Sequence, residues 1–488
     1  MNAKRTEERL PSPWVSAVPL AVLTVLLYVV IRCFGGDAIN GGSQIALLSA
    51  ASVCVMLSIG IYRCRWAVLE EAIIDNIRAS ASAILILLLI GAIAGSWMVS
   101  GVVPTLICYG LHILHPSFFL VASCLICAGV SLMTGSSWTT IATIGVALMG
   151  IGQAMGFPEG WIAGAIISGA YFGDKLSLLS DTTVLASSTV GVPIFTHIRY
   201  MLYTTVPSFV IALAVFVIAG LTLDHTGGTH AGMYADSLRG TFRITPWLLA
   251  VPVATGVLIV RKLPAIVTLF CAAVFACIAM LLAQPELVAK VAGVGGLDFM
   301  SGFKGVLMSC FGPTAIPTGS PQLDELVATR GMAGMLNTVW LIICAMCFGG
   351  VMTGSGMLGS LTSVFLRFVR RAFSAVASTV GAGIFFNLCT ADQYISIILS
   401  GRLFRELYAE RGLEPRLLSR SVEDSATVCS VLVPWNSCGM TQATVLGVST
   451  FVYMPYCIFN IVSPLMSLMV AAIGWKIKRA AGTAAHPH

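Results

Sequence analysis

Two acidic motifs with the same spacing occur in this 488-residue sequence. One begins at Asp174 and the other at Asp424, and in each a hydroxyl residue follows three and six positions later. Carboxylate and hydroxyl oxygens are the ligands that hard cations prefer. The residues of the two motifs are Asp174, Ser177, Ser180, Asp424, Thr427 and Ser430.

The chemistry of such acids depends on the apolar sequence around them. Between Ala81 and Thr196 the only charged residues are Glu159, Asp174, Lys175 and Asp181. A carboxylate in mid-bilayer costs about 2.5–3.5 kcal/mol on insertion scales, so such residues usually face a cavity and have a function there. Burial favours the protonated acid and a bound cation favours the ionised acid. One site therefore holds a proton or Na+ but not both, which predicts cation/proton exchange.

The predicted metal is Na+ alone, bound at Asp174 or Asp424. Hydroxyl groups near the acids and carbonyl oxygens from broken helices would complete the ligands. Gly173, and Pro434 with Gly439, mark positions where a helix could unwind. The further candidate ligands for the ion or substrate are Asp181, Thr182, Thr183 and Asn436.

A structural interpretation of the same residues stays open. Asp174, Asp424, Asp181 and Asp392 could cap helices at membrane ends, with serines and threonines bonding their own backbone. Lys175 could neutralise Asp174 or Asp181, or face lipid headgroups.

Two other acids are interpreted as lying outside the site. Glu423 is interpreted as a surface or interfacial partner of Arg420. Glu159, which follows Pro158, is interpreted as a loop residue.

Composition predicts that the chain lies in a lipid bilayer. Hydrophobic residues make up 57% and charged residues 10% of the chain, against about 25% charged in a soluble domain. The apolar run from Trp14 to Cys33 is long enough for one membrane span and is uncharged up to its last residues, since about 20 apolar residues cross a bilayer. The apolar runs are continuous, so they predict helices. We expect an all-α polytopic protein with about 12–14 membrane segments, counting broken pieces.

The domain organisation follows from the positions of the polar segments. Lys4, Arg5 and Arg9 precede the first helix, and Lys476 to Arg479 follow the last. The positive-inside rule then places both termini in the cytoplasm, with the protein in the cell membrane. The predicted parts are an N-terminal segment (1–13), a first transmembrane repeat (14–223), a polar connector (224–245), a second repeat with an extra helix at its start (246–475) and a C-terminal tail (476–488).

The two repeats are predicted from recurring sequence. Asp174 and Asp424, the starts of the two motifs, stand 250 positions apart, and the helix at 14–34 matches 264–284 at the same offset. A hydroxyl-rich stretch precedes the first motif at 134–140, and 387–393 precedes the second. Secondary transporters are often built from inverted repeats whose broken helices meet at the midplane. We expect such an inversion here.

Several long motifs resemble the NhaC-type sodium/proton antiporter family. They are Tyr171 to Thr183, Phe195 to Arg199, Thr390 to Tyr394, Leu418 to Thr427 and Val433 to Gly439. The resemblance implies the broad ion-transporter superfamily, with a scaffold, a mobile transport domain and two re-entrant hairpins. It also implies that Thr134, Ser136, Ser137, Asn387, Thr390 and Asp392 lie near the hairpin tips.

The sequence departs from the family pattern at Leu178 and Val184, where Pro and Asn are common. These changes leave the cargo open between Na+/H+ antiport and coupled exchange of a small organic acid, such as malate or lactate, or an amino acid.

An intramembrane aspartyl protease would need Gly in place of Tyr171, so we expect no enzyme. We expect no nucleic-acid partner and no cofactor beyond Na+ and H+ as transported or coupling ions; a homodimer is possible. Cys124-x-x-Cys127 and Cys344-x-x-Cys347 are interpreted as apolar packing.

Overall fold

The computed structural model describes residues 11–34, 41–223, 229–261, 263–296, 298–318, 324, 327–367, 369 and 371–477. Most of the predicted N-terminal segment, the start of the connector and most of the C-terminal tail lie outside the described residues. Within them the β pairing consists of one isolated bridge, between Thr314 and Thr329. The rest of the regular structure is helical, as predicted.

Among the described residues before the connector, the chain forms eleven α-helices. They are α1 (Pro13–Phe34), α2 (Gly42–Gly60), α3 (Trp66–Ala79), α4 (Ala81–Val99), α5 (Val102–Ile113), α6 (Pro116–Thr134), α7 (Ser137–Thr140), α8 (Val146–Ala154), α9 (Glu159–Leu176), α10 (Asp181–Val190) and α11 (Ile194–Thr222). A π-helical segment, Ile141–Gly145, joins α7 to α8.

The helices of the connector and of the second part follow. They are α12 (Thr229–Thr241), α13 (Ala250–Val260), α14 (Ala265–Ala283), α15 (Pro285–Ala292), α16 (Phe299–Phe311), α17 (Leu336–Gly354), α18 (Met357–Arg367), α19 (Ala372–Thr390), α20 (Gln393–Glu410), α21 (Pro415–Val422), α22 (Ser437–Leu446), α23 (Thr450–Tyr453) and α24 (Ile458–Ile473). A second π-helical segment, Glu423–Thr427, continues α21.

Eight of the described helices are long and apolar enough to cross a bilayer, and 11 spans result if each sharply bent pair counts as one. Val102–Leu111 and Phe299–Phe311 are shorter apolar helices. The predicted 12–14 segments are therefore reached only when these shorter pieces are included. The chain is a multi-pass membrane protein.

Helix bounds recur along the chain, but not at the spacing that the acidic motifs suggest. Pro116–Thr134 of α6 corresponds to Ala372–Thr390 of α19, so that 116 matches 372 and 134 matches 390, a spacing of 256. Asp181–Val190 of α10 and Ser437–Leu446 of α22 have the same relation. At this spacing Asp174 corresponds to Ser430 and not to Asp424. The division into two repeats and their inverted orientation stay predictions.

The connector differs from the exposed link that its polar composition suggests. Residues 229–241 form α12, and Ala235, Leu238 and Phe242 are buried. Apolar side chains at one-turn spacing give a helix a buried stripe, and this one packs against α5. The later half of the connector is therefore part of the packed body.

Helix α9, which carries Asp174, packs tightly against α6. A Cβ atom on Gly173 would lie 2.3 Å from the carbonyl oxygen of Ala128, closer than any real contact. Gly173 therefore permits close helix packing, and the helix unwinds later, after Leu176. This packing holds Asp174 one turn before the break.

Candidate functional site

A break between α9 and α10 places the first acidic motif. Helix α9 ends at Leu176, Ser177 is extended, and α10 begins at Asp181 after a bend of 46°. The Ser180 hydroxyl caps α10 by accepting a hydrogen bond from the Thr183 amide at 3.4 Å. The Thr183 hydroxyl donates to the Lys175 carbonyl at 3.1 Å. The predicted unwinding of the chain at this motif is therefore present.

The turn after α6 meets Asp174 directly. Thr134 ends α6, Gly135 is left-handed with φ of +69°, and Ser136 caps α7. The amide and the hydroxyl of Ser137 donate to Asp174 Oδ2 at 3.2 and 2.7 Å. A buried carboxylate thus lies at the N-terminus of a short helix, where backbone N–H groups favour negative charge.

The turn after α19 has the same construction. Thr390 ends α19, Ala391 is left-handed with φ of +57°, and Asp392 caps α20 by accepting from the Ile395 amide at 2.9 Å. The Thr390 hydroxyl accepts from the Asp392 amide at 3.4 Å, as Thr134 accepts from Ser136 at 3.1 Å. Asp392 therefore has the capping role that the structural interpretation allowed.

The second turn is joined to the chain break before α22. Asn436 donates through Nδ2 to the carbonyl of Asn387 at 3.3 Å and to its side-chain oxygen at 3.2 Å. The Ser437 amide donates to the Ala391 carbonyl at 2.8 Å. Asn387 in turn donates to the Ala426 carbonyl at 2.8 Å. Asn387 and Asn436 therefore connect backbone segments.

Asp424 lies in a different environment from Asp174. Its Oδ1 atom contacts the Lys175 ammonium, and the Thr204 and Ser463 hydroxyls lie 3.2 and 3.3 Å from it. Lys175 also donates to the Ser463 hydroxyl at 3.0 Å. The partner of Lys175 is therefore Asp424, and not either of the acids or the headgroups that the sequence suggested.

The interpretation of Glu423 and Arg420 as a surface pair is wrong. Both side chains are fully buried. The Arg420 guanidinium lies 4.7 Å from the Tyr200 ring centroid, and its Nε lies 3.9 Å from Asp424 Oδ2. Their position on α21 and the π-helical segment turns them inward, beside Asp424.

The other predicted ligands fall into two groups. Ser177, Thr182 and Thr427 are buried, whereas Asp181 is exposed at the start of α10. Ser430 is buried, and its hydroxyl donates to Gln393 Oε1 at 2.9 Å, which places it at the second turn. The structure thus brings Asp174 together with the first turn, and Ser430 with the second.

Thr204 and Ser463 are members of the Asp424 environment that the sequence did not indicate. Each is one of several hydroxyl residues in an apolar helix, where such residues commonly bond their own backbone. Only the fold brings α11 and α24 to Asp424.

The described residues contain no group of three or more His, Cys, Asp or Glu side chains able to hold a metal ion. A cation at Asp174 would therefore depend on hydroxyl and carbonyl oxygens as well as the carboxylate. Ser137, Ser177 and Ser180 supply hydroxyls near the break. This donor set suits Na+, a hard cation.

Comparison with known proteins identifies the family of the chain. Residues 169–475 match the model of the Na+/H+ antiporter family. The chain is 35% identical over 425 residues to the Na+/H+ antiporter NhaC of Alkalihalophilus pseudofirmus, covering 86% of this chain and 89% of that protein.

Relatives that are named for other cargoes have similar sequence identity to this chain. The malate-2H+/Na+-lactate antiporter of Bacillus subtilis is 35% identical over 83% of this chain and 84% of its own length. The arginine/ornithine antiporter ArcD of Halobacterium salinarum is 33% identical over 96% of this chain and 94% of its own.

The bundle of apolar helices around buried acids is that of a multi-pass membrane transporter. The chain belongs to the Na+/H+ antiporter family, as the resemblance of its motifs implied.

Proposed function

We propose that this protein is a secondary active transporter of the cell membrane that exchanges Na+ for H+, with Na+ bound at Asp174. The observation that carries the choice of Asp174 is its lack of a cationic partner. Its carboxylate is buried and accepts hydrogen bonds from Ser137, and no Lys or Arg forms an ion pair with it in the described part of the chain. Asp424, in contrast, already has Lys175 beside it.

The environment of Asp174 suits a reversible ion site. A carboxylate buried without a counter-charge is stabilised by a proton or a cation. Ser137 donates hydrogen bonds to it, and its hydroxyl oxygen can turn to ligate Na+ instead. Helix α9 ends within one turn of Asp174, so free backbone carbonyls are close. These features support binding and release without a rigid, high-affinity cage.

Alternating access requires that the site be reached from each side in turn. The turns after α6 and α19 are the elements that we propose move relative to the packed helices around them. Their tips are joined to breaks in other helices through the Ser137–Asp174 and Ser437–Ala391 hydrogen bonds. The predictions that both termini are cytoplasmic and that the protein forms a homodimer belong to this proposal.

An organic solute is the second candidate cargo. Two relatives carry names of organic-acid and amino-acid antiporters at identities close to that of NhaC. Leu178 and Val184 are both exposed at the α9–α10 break, where a bulkier cargo would pass.

Proteoliposomes containing purified protein separate the two candidates. We expect an imposed Na+ gradient alone to drive H+ movement, read by an internal pH-sensitive dye. Malate, lactate, arginine and ornithine should not change the rate. Absence of Na+-driven H+ movement until one of these solutes is added would overturn Na+/H+ antiport in favour of solute exchange.

A further inference from the structure

Five charged side chains are buried near the end of α9 and the start of the second π-helical segment. Asp424 contacts Lys175 and lies 3.9 Å from the Arg420 Nε, and Glu423 interacts electrostatically with Lys175, Asp174 and Asp424. Lys175, Arg420, Glu423 and Asp424 are 0% exposed, and Asp174 is 6% exposed. We call these residues the buried charge cluster. Arg420 keeps its proton at any relevant pH, and the Lys175 ammonium is held by Asp424. The cluster thus contains two cations and three acids.

The three acids differ in their hydrogen-bond donors. Asp424 contacts Lys175, Thr204 and Ser463, and Asp174 accepts two hydrogen bonds from Ser137. The Thr427 hydroxyl is the donor near Glu423, but neither carboxyl oxygen has a hydrogen-bond partner within 3.5 Å in the described part of the chain. An ionised carboxylate is costly to bury without donors, and the neutral acid costs much less. A single proton shared by the cluster would therefore reside on Glu423.

The charges of the cluster balance in two states. With one proton on Glu423, the two cations face two carboxylates and the cluster is neutral. If Na+ binds at Asp174 and the Glu423 proton leaves, three positive charges face three carboxylates, and the cluster is again neutral. Any other occupancy buries a net charge, which is expensive in a low-dielectric interior.

We infer that Glu423 carries the transported proton and that the cluster exchanges one H+ for one Na+, which makes transport electroneutral. This rests on the proposed Na+/H+ exchange and adds the proton-carrying residue and the stoichiometry. In the exchange step the O–H bond of the Glu423 acid breaks, and the proton passes to water on the open side. The Glu423 carboxylate that remains is balanced by the Na+ that enters at Asp174.

The other titratable groups near Glu423 leave this balance unchanged. Asp181 is exposed to solvent, so its charge is hydrated. Neutral neighbours of the cluster include His197 of α11, with Nδ1 2.9 Å from the Ser419 hydroxyl, and Tyr408 of α20, with its hydroxyl 3.0 Å from that of Thr379. Tyr200 of α11 lies over the Arg420 guanidinium, and Cys429 follows the π-helical segment beside Asp424.

The test compares wild type with Glu423→Gln, which mimics a permanently protonated acid. The matched control is Glu159→Gln, since Glu159 is exposed at the start of α9. Na+ binding is measured in detergent as a Na+-dependent rise in the unfolding temperature at pH 6, 7, 8 and 9. Transport is measured in proteoliposomes as Na+-driven H+ movement, with the membrane potential clamped at several values by K+ and valinomycin.

Wild type and Glu159→Gln should move H+ at rates independent of the clamped potential, with flux reversing when the Na+ and H+ gradients are equal. Glu423→Gln should bind Na+ at least tenfold more weakly, with an affinity that no longer depends on pH, and should lose exchange. Glu423→Asp, which restores an acid, should regain the pH dependence.

Potential-dependent wild-type exchange, or reversal at another gradient ratio, would overturn the one-to-one exchange. Retention of pH-dependent Na+ binding and exchange in Glu423→Gln would overturn the role of Glu423. If Glu423→Gln fails to fold, the wild-type reversal measurement and Glu423→Asp still decide. Failure of the proposed function is a different result, in which wild type shows no Na+-driven H+ movement.

Discussion

Lys175, in the last turn of α9, contacts Asp424 in the π-helical segment 423–427, and both side chains are completely buried. The contact joins the first acidic motif to the second, because Lys175 is the neighbour of Asp174. It also makes the two motif acids unequal. Asp424 has a cationic partner within the protein, whereas no Lys or Arg in the described part of the chain pairs with Asp174.

Asp174→Asn tests the ion site. A neutral amide attracts a cation weakly, so we expect Na+-driven H+ movement to fall by at least about tenfold, equivalent to about 1.4 kcal/mol. A neutral amide costs less to bury than a carboxylate, so the yield of folded protein should not fall. Proteoliposome assays and size-exclusion chromatography measure the two. Full exchange activity in a folded Asp174→Asn protein would remove Asp174 from the mechanism.

Asp424→Asn should instead destabilise the protein. This change leaves Lys175 buried without its anion. Removing one partner of a buried ion pair costs about 3–5 kcal/mol. Thermal unfolding in detergent should show a large loss for Asp424→Asn and recovery of most of it in Lys175→Met/Asp424→Asn. Equal losses in the single and double variants would contradict the importance of this pair.

The pH dependence of wild-type Na+ affinity follows from displacement of one proton. Because protons compete with Na+, the apparent affinity should fall as pH falls, by about tenfold per pH unit where the acid is protonated, as linkage requires for one proton. Initial rates of Na+-driven H+ movement at several pH values and Na+ concentrations measure it. An affinity that is the same at pH 6 and pH 9 would favour the organic-solute alternative.

The two left-handed turn residues should respond differently to exchange of Gly and Ala. A Cβ on Gly135 would lie 2.6 Å from the Leu179 carbonyl carbon, so Gly135→Ala should distort the turn that meets Asp174. We expect a loss of more than about 1 kcal/mol, because Ala is disfavoured at positive φ even without a clash. Ala391→Gly, the matched change in the second turn, should alter stability by less than about 1 kcal/mol. Unfolding temperatures in detergent give the comparison; similar effects at both sites would contradict it.

Helix α12 offers a test of the connector. Phe242 is buried after this helix, and Arg239 is exposed on it. Phe242→Ala should lower the unfolding free energy by about 3–5 kcal/mol, the usual cost for a buried Phe, and Arg239→Ala should have little effect. Equal unfolding temperatures for the two variants would mean that α12 is dispensable for stability.

Helix positions were largely predictable, because long apolar runs and their breaks are local features. The predicted span from Trp14 to Cys33 is α1 nearly residue for residue, and the predicted tips at Thr134 and Thr390 end their helices. The partners of the acids were not predictable. Lys175 is 249 positions from Asp424, and nothing in a local pattern reports a contact across that distance.

The motif spacing was misleading for a related reason. Both motifs carry Asp, so they align at a spacing of 250, whereas the turns and helices align at 256. The position of a residue on the backbone determines its hydrogen-bond partner. At the spacing of 256, the Ser430–Gln393 hydrogen bond corresponds to the Asp174–Ser137 hydrogen bond. Similar residue types therefore lie in different parts of the two sites.

The presence of Ser430 at the position that corresponds to Asp174 has a consequence for the number of ions that such a protein carries. The second half retains the turn, the helix cap and the break that surround Asp174 in the first half, and holds a neutral hydrogen bond where the first half holds a charge. Replacement of Ser430 by an acid would add a second ionisable group on a backbone already shaped for it. We therefore expect that two turns of the same construction would let the number of ions per cycle change through one side chain, with no rearrangement of helices.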